Sequence, residues 1–266
     1  MINNIMSTKK KEYIFPSPGE EELKYPPVIV GSGPAGIFCA WYLARAGYRP
    51  LVLERGEEAH IRQKTVENFW KNGILDPDPM CSLVKVGWYF SDGKLNTLVK
   101  DPSGRNHEVL KRFVQAGAPS EIIYQQKPHL GTDVLVGVVE TLRHEIEEMG
   151  GEFQFRSKVT DLFFENSQLK EIEINGEKRI PAQVCVLAVG HSARDSFSMF
   201  EKKGIYMEPK SFAVGVRMEH PQSMINLALY GEEENEKLGA AAYKSLTHVK
   251  MAVVFIPFAC VREVMW

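Results

Sequence analysis

Residues 28–38 read VIVGSGPAGIF, an apolar strand-like triplet, then Gly31, Ser32, Gly33, Pro34, Ala35 and Gly36, then an apolar helix start. The three glycines form G-x-G-x-x-G, the spacing of a dinucleotide-binding turn. The context on both sides agrees with that reading. "GIFCAWYLARAG" carries Ile37, Ala40, Trp41 and Ala44 at i, i+3, i+4 and i+7, which predicts a helix with one apolar face, and Gly47 stands where a C-terminal cap belongs. "RPLVLER" predicts the next strand and ends in an acid, Glu54, about twenty residues past the loop.

Each residue type has a physical task. Gly31 permits the tight turn, Gly33 lets backbone approach a pyrophosphate, and Gly36 lets helix and strand pack closely. The helix N-terminus offers free N–H groups and a positive dipole end to phosphate. Glu54 can accept hydrogen bonds from the adenosine ribose hydroxyls, and an acid there disfavours a 2′-phosphate, so NADP is a poor candidate for this site.

The rest of the chain is read outward from this loop. Residues 1–26 form a polar lead-in, loose or draped over the domain. "EEAHIRQKTVENFWKNG", "HEVLKRFVQAG" and "DVLVGVVETLRHEIEEMG" predict helices, and residues 76–104 read mostly as loop. From Gly151 the period becomes alternating: "GEFQFRSKVTDLFFENSQLKEIEINGEKRIPAQVCVLAVG" predicts about four short strands turned at Asn-Ser and Asn-Gly. Val184–Val189, a continuous apolar run, predicts a strand buried on both faces. "SARDSFSMFEKKG" predicts a helix and "SFAVGVRME" a strand. A strand, a crossover helix and a parallel strand come first and an apolar strand returns late. That order predicts a doubly wound α/β domain with inserted elements.

Composition narrows the function classes. The 266 residues are 44% hydrophobic and 25% charged with a net charge of -2, so no strong field for nucleic acid or anionic lipid is expected. Cys39, Cys81, Cys185 and Cys260 have no paired spacing, which argues against a disulfide framework or a zinc site and favours a reducing cytoplasm. The seven histidines form no metal spacing. The N-terminus lacks the apolar core of a secretory signal, and "MAVVFIPFACV" (251–261) is too short to span a bilayer and carries a proline.

"GSGPAG…LARAG…LVLERG" resembles the N-terminal dinucleotide fold of FAD-dependent oxidoreductases. Pro34-Ala35 in the loop and Arg55-Gly56 after the acid are typical of flavoproteins, and "VCVLAVGHSARD" resembles the second flavin motif, in which Ala188 and Gly190 bring the chain back toward the cofactor. "ENFWKNG", "FSDGKLNTLVKDP", "KPHLGTD" and "FAVGVRMEHPQ" extend the resemblance, over roughly residues 12–248, to a bacterial family of FAD-dependent (NAD(FAD)-utilising) dehydrogenases. The resemblance implies a glutathione-reductase-like fold. It implies an FAD lobe at about 27–160 and 182–205, a β-rich substrate lobe partly within and after it, and an atypical tail at 249–266. It implies FAD contacts from Gly31, Ser32, Gly33, Pro34, Ala35, Gly36, Glu54, Arg55, Val159, Ala188 and Gly190. Reduced nicotinamide, NADH or NADPH, is a candidate donor for which no second glycine loop follows. The expected substrate is a small molecule; a flavin-dependent RNA-modification protein is an alternative that the charge balance disfavours.

Three departures from that family stand out. The lead-in is short, and the family continues beyond the point where this chain stops. In place of "FGEGGAGTFSDGKL" the chain has "LVKVGWYFSDGKL" at 83–95. Leu83–Gly87 can be encoded as TTG GTG AAG GTG GG, which one base earlier reads Phe-Gly-Glu-Gly-Gly, and "VKMAVVFIPFACVREVMW" can be encoded so that a shifted frame reads ENGRGVYSFCMCPGGYV. The expectation is that insertions or deletions scrambled residues 83–90 and those after about 248, leaving a truncated product in which FAD binding is in question. Trp88 and Tyr89 would then stand where the family lays glycine against the cofactor.

Other residues carry weaker signals. Ser91, Asp92, Gly93 and Lys94 are either near the flavin by resemblance or a plain turn. Arg62 and Lys64 could meet phosphate, but a solvated helix face is the simpler expectation. His129 and His191 flank motif segments, with a structural role favoured for each, and Cys39, Trp41 and Trp70 are expected in packing. No nucleophile–base set or carboxylate pair stands out, as expected where a cofactor carries the chemistry.

Overall fold

The computed structural model describes residues 12–74, 95, 101–125, 130–210, 220–234, 237–241, 243–244, 247–249, 253–255 and 258–259. The chain divides between Met207 and Glu208 into two compact units.

The first unit is built on a parallel sheet. β1 (Val28–Val30), β2 (Leu51–Leu53), β3 (Glu152–Gln154) and β7 (Cys185–Leu187) lie in the order β3-β2-β1-β7. Ile29 pairs with Val52 on one side and Val186 on the other. α1 (Pro34–Arg45) crosses from β1 to β2, capped by Gly47 at a left-handed φ of 89°. α2 (Ala59–Asn72), α3 (Arg105–Gln115), a 3₁₀ turn at Ser120–Ile123 and α4 (Thr132–Glu148) follow β2.

β1 is buried on both faces because side chains alternate along a strand and each face meets a different partner. Ile29 points into a cluster with Ile37, Ala40, Trp41 and Ala44 of α1 and Leu135, Val138, Leu142 and Ile146 of α4. Val28 and Val30 point the other way, onto Leu162, Ile172 and Ile174 of a second sheet. That sheet is an antiparallel meander of β4 (Val159–Glu165), β5 (Gln168–Ile174) and β6 (Lys178–Pro181). Its turns fall at Asn166-Ser167 and Asn175-Gly176, with φ of 50°, 60°, 56° and 74°, the left-handed values that tight hairpin turns require. α5 (Arg194–Lys202) closes the unit through Phe200.

The alternating region holds five strands, β3 to β7, rather than about four. One expectation is corrected. The Val184–Val189 strand is not buried on both faces: Val184 and Leu187 are more than a third exposed. β7 pairs with β1 alone among the described strands and so lies at the sheet's edge. An apolar run reports hydrophobicity, not whether a neighbour covers it.

From Glu12 onward the lead-in is draped over the domain. Tyr13 and Phe15 form a ring cluster with Tyr42 of α1, and the backbone N–H groups of Lys24 and Tyr25 donate to Gln183 Oε1.

In the second unit, α6 (Gln222–Tyr230) starts after Pro221 and ends at Gly231, φ 78°. Buried Asn226 ties it to the following loop: its amide donates to the Glu233 carbonyl and its oxygen accepts from Ala241 N–H. β8 (Tyr243–Lys244) pairs with β11 (Phe258–Ala259), and β9 (Thr247–Val249) with β10 (Val253–Phe255), both antiparallel. β10 and β11 lie within the stretch read from sequence as an atypical tail. The predicted strand at 211–219 lies outside the described residues.

Candidate dinucleotide site

The glycine turn joins β1 to α1 at the carboxyl edge of the parallel sheet. Gly31 has φ 102°, its N–H donates to the Leu53 carbonyl at 2.8 Å, and a β-carbon there would lie 2.6 Å from the Ala188 carbonyl oxygen. A β-carbon on Gly36 would overlap the Gly31 carbonyl oxygen. These two glycines are therefore required by packing at the point where β1, α1 and the exit of β7 converge. Ala188 completes that point, donating its N–H to the Val30 carbonyl at 2.9 Å.

Gly33 differs. It is the N-cap of α1 in extended backbone, and nothing lies within 4 Å of where its β-carbon would stand. No side chain caps α1, and Pro34 occupies its first turn, where a missing N–H costs nothing. Pro34 and Ala35 are exposed. The N-terminus of α1 carries first-turn N–H groups and the positive end of the helix dipole, and beside it the space that a side chain at position 33 would fill is open. That cradle fits a diphosphate.

Glu54 lies at the exit of β2 and is buried, 8% exposed. Its Oε2 accepts from Ser32 N–H at 2.9 Å and Ser32 Oγ at 2.7 Å. Its Oε1 accepts from Gly56 N–H at 2.7 Å and faces Arg62 Nη2 at 3.4 Å. Burial by itself raises the carboxyl's pKa, but the Arg62 charge and the bonds from Ser32 and Gly56 outweigh it, so the pKa lies below the ordinary glutamate value. Arg62 is itself 8% exposed, which corrects the expectation of a solvated helix face. The reason is Gly56: without a side chain it leaves the space that the guanidinium fills.

The loops beside Glu54 are stitched together. Ser157 N–H donates to the Glu54 carbonyl and Arg156 N–H to the Gly56 carbonyl. Arg156, at a left-handed φ of 51°, pairs with buried Glu57. Arg55 does not turn to the glycine loop; it pairs with Asp195 in the first turn of α5 at 2.9 Å, as does Lys158 at 2.8 Å. Burial tends to raise the pKa of Asp195, but these two cations hold it far below the usual range. Val159 is 6% exposed in the core, which leaves only its backbone for a ligand, and Gly190 is exposed at φ 70°.

The structure thus gathers Gly31, Ser32, Gly33, Gly36, Glu54 and Ala188 at one edge and turns Arg55 and Val159 elsewhere. Arg62, weighed from sequence as a phosphate contact or a solvated residue, joins the surroundings; so do Arg156 and Lys158, which carry no sequence signal of their own, and Asp195, which closes the quoted "HSARD". A shallow crevice is lined by Ser32, by Val139 and Arg143 of α4, and by Phe153 and Phe155. His191 is exposed, with a ring nitrogen 2.9 Å from Ser192 Oγ. Cys39 is half buried in the α1 cluster, Cys185 is pushed up to about 12 by burial, and Trp41 is buried with its indole N–H on Glu145. Residues 83–90, Ser91–Lys94, Cys81, His129 and the Trp70 side chain lie outside the described residues. Among the described residues no group of His, Cys, Asp or Glu could hold a metal ion, and no helix is long and apolar enough to cross a membrane.

A parallel sheet, a glycine turn packed against the returning strand, and an acid at the end of β2 define a Rossmann-like nucleotide-binding domain with a β-sheet lobe. The family model for pyridine nucleotide-disulphide oxidoreductases matches residues 25–197, and the chain belongs to that family. Residues 211–260 match the model for the C-terminal domain-like region of FAD-dependent proteins. An uncharacterized protein of Clostridium beijerinckii is 48% identical over 228 residues, 85% of this chain and 42% of that protein. A thioredoxin reductase of Streptomyces clavuligerus is 45% identical over 58 residues, 20% of this chain and 18% of that one. Among solved structures, THI4 of Thermovibrio ammonificans is similar at 19% identity and a TM-score of 0.42, covering 68% of this chain and 63% of that one. The chain spans less than half the length of the Clostridium relative.

Proposed function

We propose that this chain is the FAD-holding part of an FAD-dependent oxidoreductase. The observation that carries the reading is the contrast between Gly36 and Gly31, filled by packing, and Gly33, open at an uncapped helix N-terminus. The first turn of α1 would hold the diphosphate, Glu54 would receive the adenosine ribose, and Ala188 and Gly190 would border the cofactor from the returning strand. FAD, when bound, supplies hydride or electron transfer; the protein's part is to hold, orient and shield. Arg55, Pro34, Ala35 and the Val159 backbone remain candidate contacts in this reading. The substrate is a small molecule, with NADH or NADPH as candidate donor, no nucleic-acid or membrane partner, and a cytoplasmic setting.

The test is the visible absorbance of the purified protein, with flavin release on denaturation. Flavin bands near one per chain are expected. A colourless protein that takes up no added FAD would favour instead an inactive fragment, and sequencing the gene across codons 83–90 and 248–266 would then test the proposed reading-frame changes.

A further inference from the structure

Arg62 belongs to the polar helix α2, where an arginine ordinarily points to water. Here its side chain is 9% exposed and its guanidinium lies across Gly56, so that a β-carbon on Gly56 would overlap Nη2. Nη2 faces Glu54 Oε1 at 3.4 Å. An ionised carboxylate has about four acceptor positions. Ser32 N–H, Ser32 Oγ, Gly56 N–H and Arg62 take them all. A ribose hydroxyl cannot donate to Glu54 unless one of the four leaves. Two are backbone N–H groups fixed by the loops, and the serine hydroxyl bond, at 2.7 Å, is as short as the one from Gly56. The Arg62 contact is the longest and comes from the end of a flexible stem.

We infer that Arg62 is a positioning residue that gates the nucleotide site. Its guanidinium stands in for a ribose hydroxyl on Glu54 and must move aside for the ribose to bind. The inference rests on the reading of Glu54 as the ribose acceptor. It gives Gly56 a task as well: the missing side chain is the berth of the gate. The gate keeps a buried carboxylate paired in the empty protein, at the cost of some nucleotide affinity, because the pairing must be broken on binding.

Calorimetric titration with ADP and with 2′,3′-dideoxy-ADP tests this, because the ratio of the two affinities reads the hydroxyl contribution alone. The whole chain is compared with Arg62→Met, Arg62→Lys and Glu54→Gln, each checked for folding by circular dichroism. The whole chain should prefer ADP. Arg62→Met should raise that preference about fivefold or more, Arg62→Lys should stay within about threefold of the parent, and Glu54→Gln should abolish the preference. Should Arg62→Met not fold, Gly56→Ala pushes the guanidinium off Glu54 with its charge retained, and it should raise the preference in the same direction. An unchanged or lower ratio in the folded gate variant, with Glu54→Gln still abolishing it, overturns the gate and leaves the ribose reading standing. A parent ratio near one, unmoved by Glu54→Gln, overturns both.

Discussion

Ser32 donates twice to one oxygen of Glu54, through its backbone N–H at 2.9 Å and its hydroxyl at 2.7 Å. The second residue of the glycine turn is thereby tied to the acid that ends the neighbouring strand. The turn and the acid are one assembly, and each positions the other.

Gly36 and Gly33 should respond oppositely to the same small change. Gly36→Ala puts a methyl group onto the Gly31 carbonyl oxygen, which is backbone and has little room to yield. A loss of about 3 kcal/mol or more is expected. Gly33→Ala meets nothing within 4 Å and keeps an ordinary φ of -67°, so the melting midpoint should hold within about 2 °C. The same variant should lose most bound flavin, since the methyl group occupies the proposed diphosphate cradle. Differential scanning fluorimetry with flavin quantitation separates the two effects; a Gly33→Ala protein that keeps its flavin would contradict the cradle.

Acid should destabilise the protein partly through Glu54. Its folded-state pKa lies below its unfolded value, so its contribution is complete above about 4.5 and disappears as pH falls through the folded value. Urea unfolding at neutral pH and at steps below about pH 4.5 should show stability falling, and Glu54→Gln should flatten part of that fall. At neutral pH the variant should lose about 3 kcal/mol, the scale for breaking a buried pair from one side.

Asp195 has two cationic partners, Arg55 and Lys158, yet its side chain is 42% exposed. Solvent screening limits what such a cluster contributes, and Asp195→Asn should cost no more than about 1 kcal/mol. The difference between parent and variant should shrink when sodium chloride is raised from about 0.05 to 0.5 M. A salt-independent loss would mean that the carboxylate acts mainly by geometry at the start of α5.

Asn175 occupies a left-handed turn position at φ 56°, donates to the Arg156 carbonyl and accepts from Lys158 N–H. Asn175→Gly keeps the conformation and loses both bonds; Asn175→Ala loses the bonds and adds about 1–2 kcal/mol of backbone strain. Denaturation midpoints should therefore fall in the order parent, glycine variant, alanine variant.

The elements around the glycine loop were legible because each is written locally. Gly31, Gly33 and Gly36 lie on one turn, the apolar positions of α1 recur at helical spacing, and Asn166-Ser167 and Asn175-Gly176 mark the hairpins where the structure turns. What escaped was set by distant partners. Arg62 reads as a surface residue until Gly56 is known to leave it room. Val184 and Leu187 read as core until β7 is seen at the sheet's edge. α6 carries no helical signal beyond Pro221 and Gly231 at its ends, because its apolar residues, Met224, Leu227 and Leu229, follow no buried stripe and are about half exposed.

The pairing of Val28 with Cys185 also orders events in time. The meander β4-β5-β6 joins near neighbours through two short turns and can form as soon as it is made, whereas the glycine turn takes its final shape against Ala188, far later in the chain. During synthesis the loop made first is thus among the last to mature. On the proposed reading of the site, a nucleotide would meet a finished cradle only after the ribosome has passed the returning strand.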